Sequence, residues 1–162
     1  MDVGGWLRSL GLGDYEEKFR DNKNAAPTFY GLIADLEAKR GRTDSALAFI
    51  ELALVIAQET GEHWTDSVLL RRKGGILLDR DPRNPTPAKE AFQTAIAVAQ
   101  QQDARSLALQ AALALAKLYQ SLSRPAEAQA VLAPALEGFA STQEMPEIAQ
   151  AESLQAALAQ PS

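Results

Sequence analysis

The chain has 162 residues, 46% of them apolar and 23% charged, enough for one folded domain or a small domain with an appendage. A net charge of -5 argues against binding nucleic acid or an anionic membrane surface through bulk electrostatics. With no cysteine and one histidine, disulfides, thiolate metal sites, cysteine nucleophiles and histidine metal clusters are excluded.

Many of the apolar residues are alanine, while β-branched and aromatic residues are sparse, which favours helix over strand. No apolar run approaches the ~20 residues needed to span a membrane, and the start of the chain carries no apolar signal region. The expectation is a soluble, cytoplasmic, all-α protein.

Residues 1–24 open with Trp6-Leu7-Arg8-Ser9-Leu10-Gly11-Leu12-Gly13, a short amphipathic turn ended by glycine. Asp14 can cap a second helix in which Tyr15 and Phe19 share a face. Trp6-Leu7, Leu10-Gly11-Leu12, Tyr15, Phe19 and Asn22 resemble the opening of a sterile alpha motif (SAM) domain. The likeness covers about a third of such a domain, and the family's later helices do not follow Asn24. SAM-type self-association is therefore not carried over. The segment is expected to pack as a helix on the end of the helical array that begins at Ala25, or to be left partly loose.

From Ala25 the pattern changes. Pro27 opens a segment with Phe29, Ile33 and Leu36 on one face, stopped at Lys39-Arg40-Gly41. Gly41-Arg42-Thr43-Asp44 reads as a turn and cap, followed by a stripe of Ala46, Phe49, Ile50, Ala53, Ile56 and Ala57. The next helix is predicted over 63–79, with Trp64 as a packing anchor and His63 at its start. In residues 85–100, Thr86 can cap and Pro87 can open a helix whose stripe is Ala88, Phe92, Ala95, Ile96 and Ala99. Residues 104–122 carry Leu107, Ala111, Leu115, Leu118 and Leu122. Ala128, Leu132, Ala135, Leu136 and Phe139 then repeat the stripe once more. Pro134 lies inside that last pattern, where a bend or break is expected. Met145 to Gln160, with Ile148, Ala151, Leu154 and Leu158, reads as a capping helix with a wet side.

The three second helices superpose on one another. Ala46 falls on Ala88 at a separation of 42, and Ala128 falls on Ala88 at a separation of 40. Helix, short turn, helix, three times over, is the signature of an α-solenoid. A tetratricopeptide (TPR) repeat has a period of about 34 residues, and an excess of roughly two helical turns keeps the packing faces aligned. The expected fold is a set of antiparallel helix pairs stacked as a short right-handed TPR-like solenoid over residues 25–162, ending in the capping helix.

Two runs carry a further resemblance: residues 62–92, with Arg71-Arg72-Lys73-Gly74-Gly75 and Pro87-Ala88-Lys89-Glu90-Ala91-Phe92, and residues 104–134. They resemble the TPR-like C-terminal region of large bacterial signalling proteins. Those proteins join a nucleotidyl cyclase or regulator domain to an ATPase module and then to repeats, and some begin with a SAM domain. The resemblance implies a signalling setting, with the chain as a regulatory remnant or accessory subunit of an adenylate or guanylate cyclase–ATPase system.

No catalytic chemistry is legible. There is no glycine-rich phosphate loop of the G-x-x-x-x-G-K-[ST] type, and Gly74-Gly75 lies within a helical pattern where small residues allow close helix approach. Ser67 and Ser106 have no histidine placed by any motif. No cofactor and no metal site are expected. Arg71, Arg72 and Lys73 form the one dense basic run, readable as a solvated helix face or as a binding surface. By similarity to TPR arrays, Arg71 and Arg72 in the second repeat and Lys117 in the third fall near groove-lining positions. They could hold an acidic or carboxylate-bearing peptide. The expected function is a non-catalytic module that binds a protein or peptide partner, or a second copy of the chain as a homodimer.

Overall fold

The computed structural model describes residues 5, 8, 25–139 and 145–159. The SAM-like residues from Trp6 to Asn22 therefore lie outside the described residues, as does the position of the expected boundary at 24. Seven α-helices follow one another among the described residues, with no strand: α1 (Ala26–Lys39), α2 (Thr43–Thr60), α3 (Asp66–Arg80), α4 (Thr86–Gln101), α5 (Arg105–Ser121), α6 (Pro125–Leu136) and α7 (Pro146–Leu158). The protein is all-α. No helix among the described residues is long and apolar enough to cross a membrane.

The stops are alike. After α1, α2, α4 and α5 one residue takes a positive φ: Gly41 (74°), Gly61 (75°), Asp103 (51°) and Ser123 (57°). In each case the next amide reaches back five residues: Arg42 to Glu37, Glu62 to Ala57, Ala104 to Ala99 and Arg124 to Tyr119, at 2.8–3.1 Å. This is the Schellman closure, which satisfies carbonyls that the helix end leaves open. The starts differ from expectation. Thr86 is the first helical residue rather than the cap, Pro85 precedes it, and no side chain caps α4. Arg42 stands at the cap of α2, also without a side-chain bond. Proline at the first or second position opens α1, α4, α6 and α7, supplying a preset φ and removing an amide that has no intrahelical partner.

Chain contacts divide the protein into two compact units, Met1–Thr65 and Asp66–Ser162. In the first, α1 packs on α2. The buried side of α2 is Ala46, Leu47, Phe49, Ile50, Ala53 and Ala57, close to the stripe read from the sequence. Tyr30 stacks on Phe49 with ring centroids 6.2 Å apart, and burial pushes its phenol pKa up. Glu37 is only 1% exposed, and its two carboxylate oxygens accept from Arg40 (3.2 Å) and Arg42 (3.3 Å). A buried carboxylate needs such partners.

Two readings in this unit are corrected. On α1 the buried side is Ala26, Pro27, Gly31, Ile33, Ala34 and Glu37, whereas Phe29 and Leu36 are exposed, Leu36 at 47%. Periodicity finds residues that share a face, but α2 meets a face centred a third of a turn away. Trp64 is 58% exposed and lies in a 3₁₀ turn, His63–Thr65, so it is no packing anchor, and the α-helix begins only at Asp66.

In the second unit each helix from α3 to α7 packs on the next, and α5 also touches both α3 and α7. Short turns make neighbours antiparallel. Ser67, buried, donates to the Ala95 carbonyl at 2.9 Å, while a Cβ at Gly74 would come within 2.5 Å of the Phe92 ring. Residue numbers thus rise on α3 as they fall on α4. The close approach expected of Gly74-Gly75 holds at Gly74, whereas Gly75 faces open space. The core runs through α4 to α7, from Ala88 and Phe92 through Leu109, Leu113, Leu115 and Leu118 to Leu132 and Ile148. α6 passes through Pro134 without a break and ends two residues later at Leu136, leaving Phe139 outside the helix. Because Pro134 sits in the final turn, its missing amide removes one late hydrogen bond and not the run of bonds that holds a helix centre.

Candidate functional site

Between α5 and α7 lies an open cleft of about 480 Å³. Lys117 and Gln120 form its α5 side, and Gln150, Ser153, Leu154 and Ala157 its α7 side. On α5 the buried stripe, Ala108 to Tyr119, takes up most of the circumference. Lys117 and Gln120 fall on the remaining arc. On α7 only Ile148 and Ala151 are fully buried, so the side bearing Gln150 and Ser153 is left to solvent.

Two polar contacts bridge these helices. Gln110 Nε2 donates to Glu147 Oε1 at 3.2 Å, and Lys117 Nζ donates to Gln150 Oε1 at 3.0 Å. Residue numbers rise together along both helices, so α5 and α7 are parallel, as first helices of successive hairpins would be. The Lys117 ammonium has three donors, and the Gln150 carbonyl takes one of them. Lys117 is exposed at the mouth of the cleft, where an incoming carboxylate can reach the others. The amide of Gln120 and the hydroxyl of Ser153 add donors and acceptors on either side.

Arg71 and Arg72 stand on α3. Both are half-buried and both take part in interactions within the fold. They are therefore neither a fully solvated face nor part of the α5–α7 cleft lining, in which Lys117 is the charged residue. Of the residues that complete the cleft, Gln150 reads in the sequence only as part of the wet side of a capping helix, and Ser153 carries no reading there. The one signal that could have found them is their side-by-side helical spacing of three. Ser67 is tied to the Ala95 carbonyl and serves to join α3 to α4. Among the described residues, no group of three or more histidine, aspartate and glutamate side chains is placed to hold a metal ion.

No family model and no curated protein matches the chain. A solved structure does: the crystal structure of BtubC (BKLC) from P. vanneervenii, 22% identical, with a TM-score of 0.67. The match covers 96% of this chain and 72% of that one. At that identity the likeness speaks for the fold alone.

Proposed function

We propose that the protein is a non-catalytic binding module, a short right-handed TPR-like solenoid whose α5–α7 cleft takes an acidic or carboxylate-bearing peptide. The observation that carries this reading is Lys117, an exposed ammonium at the mouth of a cleft between two parallel helices, with the Gln150 carbonyl already accepting one of its hydrogen bonds. The recurring helix stops and the antiparallel hairpins support the repeat reading. The likeness of residues 62–92 and 104–134 to the C-terminal regions of cyclase–ATPase signalling proteins supports a regulatory setting for the module.

Selection of random peptides on the full chain tests the reading. It should return a consensus rich in aspartate, glutamate or a free C-terminal carboxylate. Affinity for the selected peptide should fall several-fold in Lys117→Ala, about 1 kcal/mol for an ion pair at a partly exposed site. It should weaken steadily with salt. A selection without consensus, or a peptide indifferent to Lys117→Ala, overturns the proposal.

A further inference from the structure

A second concavity lies on another side of α5. Arg105, Ala108 and Leu115 floor it, and at 100° per residue they project well away from Lys117. α4 and α6 form its two walls, and the space between them is about 460 Å³, within the ~300–1,000 Å³ of small-ligand sites.

The lining is divided along its length. Ile96, Ala97, Val131 and Ala135 make the walls apolar, and no aromatic ring intrudes. Polar groups gather at one end, because the chain brings three helix termini there. Gln100 lies at the C-terminus of α4, Arg105 at the N-terminus of α5, and Glu137 just past the C-terminus of α6. Gln93, two turns back on α4, is the one polar residue further along.

Arg105 is held in place. Its Nη2 donates to the Glu137 carbonyl, and its guanidinium lies 4.8 Å above the Phe139 ring. Gly138, at φ 74°, lets the guanidinium approach, since a Cβ there would stand 2.6 Å from Nη2. The carbonyl uses one of five N–H donors, and stacking uses the face of the group and not its edge. A planar cation with spare in-plane donors, already immobilised at the head of an apolar trough, matches a carboxylate on an aliphatic chain.

We propose that this groove binds a medium-chain aliphatic carboxylate, its tail between α4 and α6 and its head on Arg105. Glu137 lines the same end of the groove and its negative charge opposes the anion, so the wild-type site is weaker than its geometry allows.

Titration calorimetry on the full chain with decanoate, decanol and decyltrimethylammonium tests this. Decanoate should bind about tenfold or more tighter than decanol, the worth of a charge-assisted hydrogen bond, and the ammonium should bind weakest. Arg105→Gln should abolish the preference for carboxylate. Glu137→Gln, which keeps the carbonyl that holds Arg105, should tighten decanoate. Ala97→Trp on the exposed wall should block binding while leaving helical content and the melting temperature near wild type. Failure of decanoate to bind, equal binding of decanol, or decanoate affinity unchanged in Ala97→Trp would each overturn the proposal. None of these outcomes bears on peptide binding at Lys117, which uses a different face of α5.

Discussion

Gly74 and Gly75 are adjacent, both helical, and indistinguishable by composition, yet the fold asks different things of them. A methyl at Gly74 would meet Phe92 Cε1 at 2.5 Å, and that ring belongs to the packed core and has little room to retreat. A methyl at Gly75 meets nothing. Gly74→Ala should therefore destabilise the protein by about 1–3 kcal/mol, the usual cost of overpacking. Gly75→Ala should stabilise it by about 0.5–1 kcal/mol, because alanine restricts the unfolded chain and favours helix. Urea unfolding of the two variants measures both signs. Combining Gly74→Ala with Phe92→Leu should recover part of the loss, whereas equal effects at the two glycines would show that the α3–α4 contact is not as close as described. The sequence marked the glycine pair as a place of close approach. Which of the two meets the neighbouring helix depends on how far α3 is rotated about its axis, and periodicity leaves that open to within one residue.

At the scale of elements, the recurring feature is the helix stop. Four turns share one positive-φ residue and one five-residue reach of the backbone amide, but only two of those residues are glycine. Asp103 and Ser123 hold a conformation that costs an L-residue ~1–2 kcal/mol, less for aspartate, whose short side chain finds local hydrogen bonds there. Glycine relieves that cost and returns ~0.5–1 kcal/mol of it through the freedom of the unfolded chain. Ser123→Gly should stabilise by about 0.5–1 kcal/mol, and Asp103→Gly by less. Both changes lie in exposed turns, so calorimetric melting temperatures report the effect without disturbance of the core. A loss of stability in Ser123→Gly would mean that its hydroxyl holds the turn. Gly41 was legible as a stop, since glycine there has an obvious use. Asp103 and Ser123 were not, because only the return of the chain on itself forces them left-handed.

For the molecule as a whole, helices were readable because alanine-rich stripes at steps of three and four recur along the chain, and the all-α fold follows from them. The candidate sites were readable only in part. Lys117 was singled out, but the Gln150 beside it is 33 residues away, and Arg105 meets Glu137 across 32. Such pairs arise where helices far apart in the sequence pack together, which no local pattern encodes. Apolar stripes mislead for the same reason: Phe29, Leu36 and Trp64 have helical spacing or bulk, but no element covers them fully. The division at Thr65 and Asp66 was likewise hidden, and it has a consequence that can be measured. The second unit holds its own core, continuous from Ala88 to Ala151, together with both the α5–α7 cleft and the Arg105 groove. A domain with its own core can fold alone. Residues 66–162, expressed without the first unit, should therefore unfold in a single cooperative urea transition and keep the wild-type response of each site to Lys117→Ala and Arg105→Gln. A non-cooperative transition with exposed apolar surface that binds a hydrophobic dye would show instead that the second unit depends on residues 1–65 for its packing.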